Sequence, residues 1–365
     1  MTKVRTHALA MIERHGPIRA WIIDDTGFPK KGVHSVGVAR QYCGQLGKQD
    51  NCQVAVSLSV ANDHASLPIA YQLYLPQVWV DDSARRAKAG VPDDIVFRTK
   101  PQIALDQVRD AQMRGVAPGI VLADAGYGVD MTFRVGLAKM GLTYVGGVQS
   151  STSLWVSGTK PLPPKRWTGR GRPPSLLRRN PDHKPLSAKA LAMALPRTAW
   201  KTIAWREGTN ARLVSRFAAV RVRPAHRDYW RATPYPEEWL LIEWPKDKPE
   251  PIKYWLTTMP EKTRLVTLVD HAKLRWMIER DYQELKQELG LGHYEGRGWR
   301  GFHHHATLCI AAYGFLISER SLIPPSASGQ KAIIEVPAIP RGYRPRGAAT
   351  STGTSRHHFN RHSAH

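Results

Sequence analysis

The feature that most constrains the fold is a pair of apolar runs that each end on acidic residues. The first, AWIIDDTG at 20–27, ends on Asp24 and Asp25, and the second, GIVLADAG at 119–126, ends on Asp124. Runs of this kind predict buried β-strands. A carboxylate at the end of a buried strand is costly unless something neutralises it. One such aspartate is most often the cap of a turn or helix, but two in one chain favour a shared site.

The pattern around these strands predicts a mixed α/β fold. Residues 28–48 are rich in Gly and Lys and predict a basic, exposed loop. The other elements predicted in the first half are β-strands at 52–62, 66–75 and 142–149, and helices at 101–114 and near 130–140. The order of these elements is similar to that of an RNase H-like fold, although a fold alone names no chemistry.

The composition changes in the second half of the chain. Residues 158–196 are rich in Pro, Gly and Arg and predict a basic loop without a packed core. A helical pattern runs from Thr263 to Leu289, a second helix is predicted at 301–320, and the tail after Pro324 is predicted to be disordered. Between the loop and the first of these helices, Trp- and Val-rich runs predict β-strands at 200–205, 217–224, 237–244 and 252–258.

The net charge indicates the class of partner. Lys and Arg number 53 against 30 Asp and Glu, which leaves a formal charge of +23. Duplex DNA, with one negative charge per roughly 1.7 Å of helix axis, is the matching polyanion. Three cysteines without a CxxC pair exclude a secreted disulfide scaffold, and the N-terminus has no signal-peptide core. We therefore expect a cytoplasmic protein, with no membrane-spanning segment, that binds nucleic acid.

A charged stripe on the first C-terminal helix is a candidate third part of the acidic site. In LRWMIERDYQELKQELG, helical spacing places Arg275, Glu279, Tyr282 and Lys286 on one face. The stripe is either a solvated set of salt bridges or a group that ligates metal and holds phosphate oxygens. Two Mg²⁺ ions roughly 3.5–4 Å apart need hard oxygen ligands from separate elements, and strand ends can supply them.

Three ordered blocks resemble those of the DDE transposases of insertion sequences. They are I-x-D-x-T at 22–26, D-A-G-Y at 124–127 and R-W-x-I-E-x6-K at 275–286. The last is similar to the Y-x2-R-x3-E-x6-K signature of the IS-four-like branch. Strings such as DDTGFPKKG and GWRGFHHHATLCIAAYGFL look like the seven-hundred-and-one group of that branch. The resemblance extends from about Ala20 to Arg320.

The resemblance implies an RNase H-like mixed sheet flanked by helices, with a β-rich insertion before the last catalytic helix. It implies that Asp124 is the second catalytic aspartate and Glu279 the catalytic glutamate. Asp24 matches the first aspartate better than its alternative, Asp25. Asp24, Asp124 and Glu279 would hold two Mg²⁺ ions, for which Mn²⁺ could substitute. The signature tyrosine would fall at Ala272, which is a departure from the family pattern.

The resemblance also implies DNA partners, namely the terminal inverted repeats of an element and a target, bound by a homodimer at the bacterial nucleoid. Arg170 and Arg172 stand in GRGRP, which resembles the minor-groove core of an AT-hook; minor-groove insertion and nonspecific phosphate contact are both open interpretations. The residues expected to contact DNA are Arg275, Lys286, Lys30, Lys31, Arg170, Arg172 and Arg297.

The implied activity is phosphodiester cleavage at element ends followed by strand transfer. The alternatives are an RNase H-like nuclease that cuts without joining, and a truncated or silent DNA-binding derivative, which the short segment before the first strand favours. The expected division is a short N-terminal segment as a remnant of a DNA-binding region (1–19), the first part of the catalytic core (20–150), a basic loop and β-strand insertion (151–262), the closing helices (263–322) and a disordered basic tail (323–365).

Overall fold

The computed structural model describes residues 2–14, 16–207 and 212–322; the predicted disordered tail lies outside the described residues. The described strands form one mixed sheet: β1 (Ala20–Pro29), β2 (Ala39–Cys43), β3 (Lys48–Ala61), β4 (Ser66–Leu73), β5 (Ile120–Ala123), β6 (Tyr144–Val148), β7 (Ser153–Val156), β8 (Leu186–Ser187), β9 (Lys201–Glu207), β10 (Arg212–Pro224), β11 (Glu238–Trp244) and β12 (Lys253–Thr257). The helices are α1 (Thr2–Arg14), α2 (Gln77–Val80), α3 (Ser83–Ala89), α4 (Lys100–Met113), α5 (Ala125–Gly128), α6 (Met131–Lys139), α7 (Ala188–Met193), α8 (Leu265–Leu274), α9 (Trp276–Gln287) and α10 (Trp299–Leu322).

One half of the sheet has the strand order β4-β3-β1-β5-β6. β3 runs antiparallel to β1 and β4, whereas β5 and β6 run parallel to β1. Because helices follow β4 and β5 and cover this half, the arrangement is the RNase H-like one, and the predicted fold class is confirmed. The centre of the core is β1, where Trp21, Ile22 and Ile23 are fully buried.

The other half of the sheet is made by strands between β6 and α8. β12 pairs antiparallel with β6, and the order continues through β11, β10 and β7 to β8, with β9 beside β10. The predicted β-rich insertion is therefore continuous with the core sheet.

The longer helices pack on the sheet and on one another. α4 lies against β3, α9 and α10 lie against β4, and α1 packs on α10. The start of α4 is fixed by a capping box, in which Thr99 accepts from the Gln102 N–H and Gln102 accepts from the Thr99 N–H. None of the described helices is long and apolar enough to cross a membrane.

Three sequence predictions were wrong in detail. The expected exposed loop at 28–48 contains β2, because Ala39–Cys43 pairs with Lys48–Cys52 of β3 and buries both cysteines. The expected loop at 158–196 ends in β8 and α7. The helix expected from Thr263 to Leu289 is two helices, because the backbone leaves the regular helical pattern at Arg275, where the Ile278 N–H bonds to the Arg275 carbonyl.

The turn after β5 packs against β6 at two glycines with no room for a side chain. A Cβ at Gly128 would lie 2.1 Å from the Gly147 carbonyl oxygen, and a Cβ at Gly147 would lie 2.7 Å from the Ala125 nitrogen. Both clashes are with backbone, so the turn that carries Asp124 is held directly on the neighbouring strand.

Gly147→Ala is therefore expected to lower the free energy of unfolding by about 2–3 kcal/mol, because overpacking against backbone cannot relax by a side-chain rotation. Denaturant unfolding measures it. Gly32→Ala is the control, because a Cβ there meets nothing within 4 Å, and it should change stability by less than about 0.5 kcal/mol. Equal effects of the two substitutions would contradict the close packing of this turn.

Candidate active site

The parallel pairing of β1 and β5 places two acidic residues side by side. The last paired residues of the two strands are Ile23 and Ala123, and each is followed directly by an aspartate. Asp24 is largely buried, with 13% of its side chain exposed, whereas Asp124 is 44% exposed. The two carboxylates therefore meet where the parallel pairing of the two strands ends. Asp124 follows the last residue of β5, whereas Asp24 lies within β1, which continues to Pro29 beside β3 and does not end at the two aspartates as the sequence pattern predicts.

A single arginine connects these carboxylates with the glutamate of α9. The guanidinium of Arg275 lies 3.1 Å from Asp24 Oδ2, 3.7 Å from Asp124 Oδ2 and 3.3 Å from Glu279 Oε1. Arg275 reaches them because it stands at the break between α8 and α9. The structure thus brings together Asp24, Asp124, Glu279 and Arg275, the four residues that the sequence motifs selected.

The electrostatics of this group are dominated by burial. Burial raises the pKa of Asp24 to about 7, and the charges of Asp124 and Asp25 add to the rise, whereas Arg275 opposes it. Burial lowers the pKa of Arg275, but the three carboxylates more than offset that effect and leave it raised. One cation therefore neutralises three carboxylates incompletely, and the site favours additional positive charge.

Asp25 points away from this group. Its Oδ2 accepts a hydrogen bond from Lys100 Nζ at 2.6 Å and from the Tyr127 hydroxyl at 3.2 Å. Neighbouring residues of a strand face opposite sides of the sheet. The structure thus separates Asp25 from Asp24, which sequence matching alone left open.

Asp124 also serves as a cap. Its Oδ1 accepts from the Gly126 N–H at 2.8 Å at the start of α5, while Oδ2 faces Arg275. Asp124 therefore caps α5 through Oδ1, and its Oδ2 is directed at the acidic group.

Helix α9 is fixed on the sheet by buried polar contacts that the sequence did not reveal. The Tyr282 hydroxyl lies 2.6 Å from Ser57 Oγ, and Asp281 Oδ1 accepts from Ser66 Oγ at 2.6 Å and from the Tyr313 hydroxyl at 2.9 Å. These contacts fix the helix on the sheet, with Tyr282 of the predicted stripe buried and Glu279, one turn before it, 70% exposed. Their partners are distant in sequence, so no local spacing signalled them.

The lysines expected to contact DNA are partly engaged within the protein. Lys286 Nζ donates to the Gly27 carbonyl at 2.9 Å and to Gln45 Oε1 at 3.1 Å, and Lys30 Nζ donates to the Tyr294 carbonyl. Burial lowers the pKa of both lysines. Of the other residues of that prediction, Arg275 is largely buried, with 20% of its side chain exposed, and four are exposed: Lys31, Arg170, Arg172 and Arg297.

A cavity of about 770 Å³ opens beside the acidic group, and Asp124 and Glu279 form part of its lining. Its other walls include Trp205 and Arg206 of β9, and Trp276 of α9. The Arg206 guanidinium stacks 4.1 Å from the centre of the Trp276 ring. The Trp-rich insertion was visible in the sequence, but its contact with α9 was not, because the pairing of β9 with β10 decides where β9 lies.

The donor set suits a hard divalent cation, since it consists of carboxylate oxygens from two neighbouring strand segments and a helix. As placed, no three His, Cys, Asp or Glu side chains in the described part of the chain lie close enough together to hold a metal ion. The Arg275 guanidinium lies among the three carboxylates instead. The residues fit a cation in chemistry, and Arg275 would have to withdraw to admit one.

Comparison with known proteins identifies the family. The family model described as DDE superfamily endonuclease matches residues 2–212, more than half of the 365 residues. The chain therefore belongs to the DDE superfamily of endonucleases.

Part of the chain also matches a curated relative. A protein of Microchaete diplosiphon described as a probable transposase for insertion sequence element IS701 is 35% identical over 131 residues. The match covers 36% of this chain and 32% of the relative, so the chain spans about a third of the length of the protein that it matches. The predicted resemblance to the insertion-sequence DDE transposases of this group is confirmed.

Proposed function

We propose that the protein is the transposase of an insertion sequence, which cleaves phosphodiester bonds at the ends of the element and transfers the strands into a target. The observation that carries the proposal is that the side chains of Asp24, Asp124 and Glu279 all contact the guanidinium of Arg275. Each of the three acidic residues comes from a different one of the three sequence motifs. Membership of the DDE endonuclease superfamily and the similarity to a probable insertion-sequence transposase support it.

In this proposal Asp24, Asp124 and Glu279 hold two Mg²⁺ ions, with Mn²⁺ as a substitute. Bound cations supply Lewis-acid activation of a water or a DNA 3′-hydroxyl and stabilise the leaving oxygen. The protein positions the DNA and neutralises charge. Arg275, released from the carboxylates, is placed to hold a phosphate oxygen beside the reacting bond.

The cavity beside the carboxylates supports DNA as the substrate. Tryptophan rings stack on bases, and a cationic groove follows the phosphate backbone. Trp205 and Trp276 supply the rings, and Arg206, whose guanidinium lies 4.1 Å from the centre of the Trp276 ring, supplies a cation. The proposed substrates are the terminal inverted repeats and a target duplex, held by a homodimer at the nucleoid.

A strand-transfer assay tests the proposal. The protein is incubated with duplexes that carry the ends of its own element and a target plasmid, in Mg²⁺ or in EDTA. Cleavage and joining that require Mg²⁺ and disappear in Glu279→Ala are the expected result. Metal-dependent cleavage without joining would replace the transposase by a nuclease, and binding without chemistry would identify a silent derivative.

The role assigned to Arg275 gives a prediction that does not depend on activity. In EDTA, Arg275→Gln is expected to lower the free energy of unfolding by about 2–4 kcal/mol, because it leaves partly buried carboxylates without their counter-charge. Mg²⁺ or Mn²⁺ should then stabilise the variant more than the native protein, since the ion meets no competing guanidinium.

Thermal unfolding with and without the ion measures both effects. Arg280→Gln is the matched control, because Arg280 forms an exposed pair with Glu284 on the same helix; its loss should cost at most about 1 kcal/mol. Equal metal-induced shifts in native protein and Arg275→Gln would contradict the competition between the arginine and the cation.

A further inference from the structure

We propose that the loop between β7 and β8 carries a minor-groove contact for A·T-rich DNA, made by Arg170 at the apex of residues 163–177, here called the basic tip. The inference rests on the proposed function only in taking DNA as the ligand. It goes beyond that function by assigning a second contact, away from the carboxylates, with a base preference of its own.

The basic tip projects from a rigid base. Leu162 and Arg178, which flank the basic tip, exchange two backbone hydrogen bonds of 2.9 and 3.0 Å. Arg179 Nε donates to Asp228 Oδ1 at 2.9 Å, and the other oxygen of this fully buried aspartate accepts from Trp155 Nε1 of β7 at 2.6 Å. The loop is therefore fixed at both ends, and Pro163-Pro164 and Pro173-Pro174 stiffen its two arms.

Positive charge on the loop is almost entirely uncompensated. Residues 157–181 contain seven Lys and Arg and no acidic residue. Arg178 and Arg179 are occupied at the base of the loop. The other five are exposed and form no ion pair with any described residue: Lys160, Lys165, Arg166, Arg170 and Arg172. Cations that find no partner in the protein are available for phosphates.

The shape of the apex favours insertion over surface contact. Gly169 and Gly171, on either side of Arg170, have φ of +87° and +71°, and a Cβ at either would meet open space. The Trp167 indole N–H donates to the Gly171 carbonyl at 3.2 Å and closes the bend. Arg170 thus stands at a narrow tip, because the residues on either side of it have no side chains. A narrow tip is needed to enter a groove but not to contact a phosphate on the DNA surface.

The ligand follows from this geometry. The minor groove of B-DNA is about 6 Å wide, and A·T tracts narrow it further and strengthen its negative potential, which attracts inserted arginines. One arginine between two glycines fits such a groove, and the exposed Lys165, Arg166 and Arg172, which lie near it in sequence, would contact the flanking phosphates.

The sheet sets how far β7, the strand that leads into the loop, lies from β1, the strand that carries Asp24. β7 is six strands from β1 in the order of the sheet, which at about 4.8 Å per strand is roughly 29 Å. One turn of B-DNA is about 34–36 Å long. A duplex held at the carboxylates and lying across the strands would therefore reach β7, from which the loop starts, within about one turn.

The test measures binding of the full chain to two labelled duplexes of about 24 base pairs, roughly two turns of B-DNA. One duplex has a central A·T tract and the other a central G·C tract. The background variant is Glu279→Gln in EDTA, so that no cleavage intervenes. We expect tighter binding to the A·T duplex and competition by netropsin, a minor-groove ligand. Arg170→Ala should weaken A·T binding by about tenfold and abolish the preference.

Arg166→Ala is the matched control, because it removes the same charge beside the apex. It should weaken binding to both duplexes equally. It should also reduce the slope of the logarithm of the binding constant against the logarithm of the salt concentration by about one. Equal losses from Arg170→Ala on the two duplexes, or binding that netropsin leaves unchanged, would overturn the minor-groove contact. Neither outcome would affect the proposed function, which fails separately if the strand-transfer assay shows no chemistry.

Discussion

Asp24→Asn is expected to reduce DNA cleavage by about 10³-fold or more, whereas Asp25→Asn is expected to reduce it by less than about tenfold. Asp24 meets Asp124 and Glu279 at Arg275, so its loss removes one of three proposed metal ligands. Metal-ion catalysis contributes several kcal/mol to transition-state stabilisation, and each increment of about 1.36 kcal/mol corresponds to a tenfold change in rate. Asp25 instead pairs with Lys100 on the other side of the strand.

The adjacent position makes Asp25→Asn a control that matches Asp24→Asn in charge and size. Cleavage rates of both variants are measured on the same end duplex in Mg²⁺, with DNA binding measured in EDTA to show that each variant still binds. A greater loss in Asp25→Asn than in Asp24→Asn would contradict the assignment of the first aspartate and reverse the two roles.

A second large effect is expected at Asp281, the buried carboxyl that holds α9 against the sheet. Burial raises its pKa to about 7, and hydrogen bonds from Ser66 and Tyr313 oppose the rise. Because this pKa lies above the ordinary value of about 3.9 for an aspartate in an unfolded chain, the folded state prefers the protonated acid. The stabilising contribution is therefore complete below about pH 4 and is lost as the pH rises through about 7.

At pH 8 the ionised carboxyl is expected to cost about 4 kcal/mol relative to a neutral group, because each tenfold change in an acid dissociation constant corresponds to about 1.36 kcal/mol. Asp281→Asn keeps the oxygen that accepts from Ser66 and Tyr313 and stays neutral at every pH. We therefore expect the variant to be more stable than the native protein at pH 8 and to lose that advantage at about pH 4.

Denaturant unfolding at about pH 4, 6 and 8 measures the difference in stability between Asp281→Asn and the native protein. The difference isolates Asp281, because Asp24 titrates in the same range and affects both proteins equally. A difference that does not change with pH would show that Asp281 is not protonated in the folded state.

Sequence patterns predicted the fold well where the signal was local. The apolar runs before Asp24 and Asp124 lie in β1 and β5, and their register places Ile23 and Ala123 side by side, although β1 continues past Asp24 to Pro29. The motif spacing selected Glu279 and Arg275 correctly as members of one group. These features depend on residues close together in the chain, or on strand ends that parallel pairing must bring together.

The features that sequence patterns did not predict depend on contacts between distant segments. The Gly- and Lys-rich composition of residues 28–48 predicts a loop, yet Ala39–Cys43 is a strand because β3 offers an edge to pair with. The residues around Arg275 suit a continuous helix; the break there accompanies the contact of Arg275 with carboxylates from two other elements. The engagement of Lys286 with Gly27 likewise joins segments that are far apart in the chain.

Anomalous scattering from Mn²⁺, in crystals of the protein bound to an uncleaved end duplex, tests the proposed catalytic group most directly. We expect Mn²⁺ against the carboxylates of Asp24 and Asp124, with Glu279 in reach and the Arg275 guanidinium withdrawn towards the DNA phosphates. Mn²⁺ bound at Asp25, or no Mn²⁺ with Arg275 still joined to all three carboxylates, would contradict the assignment.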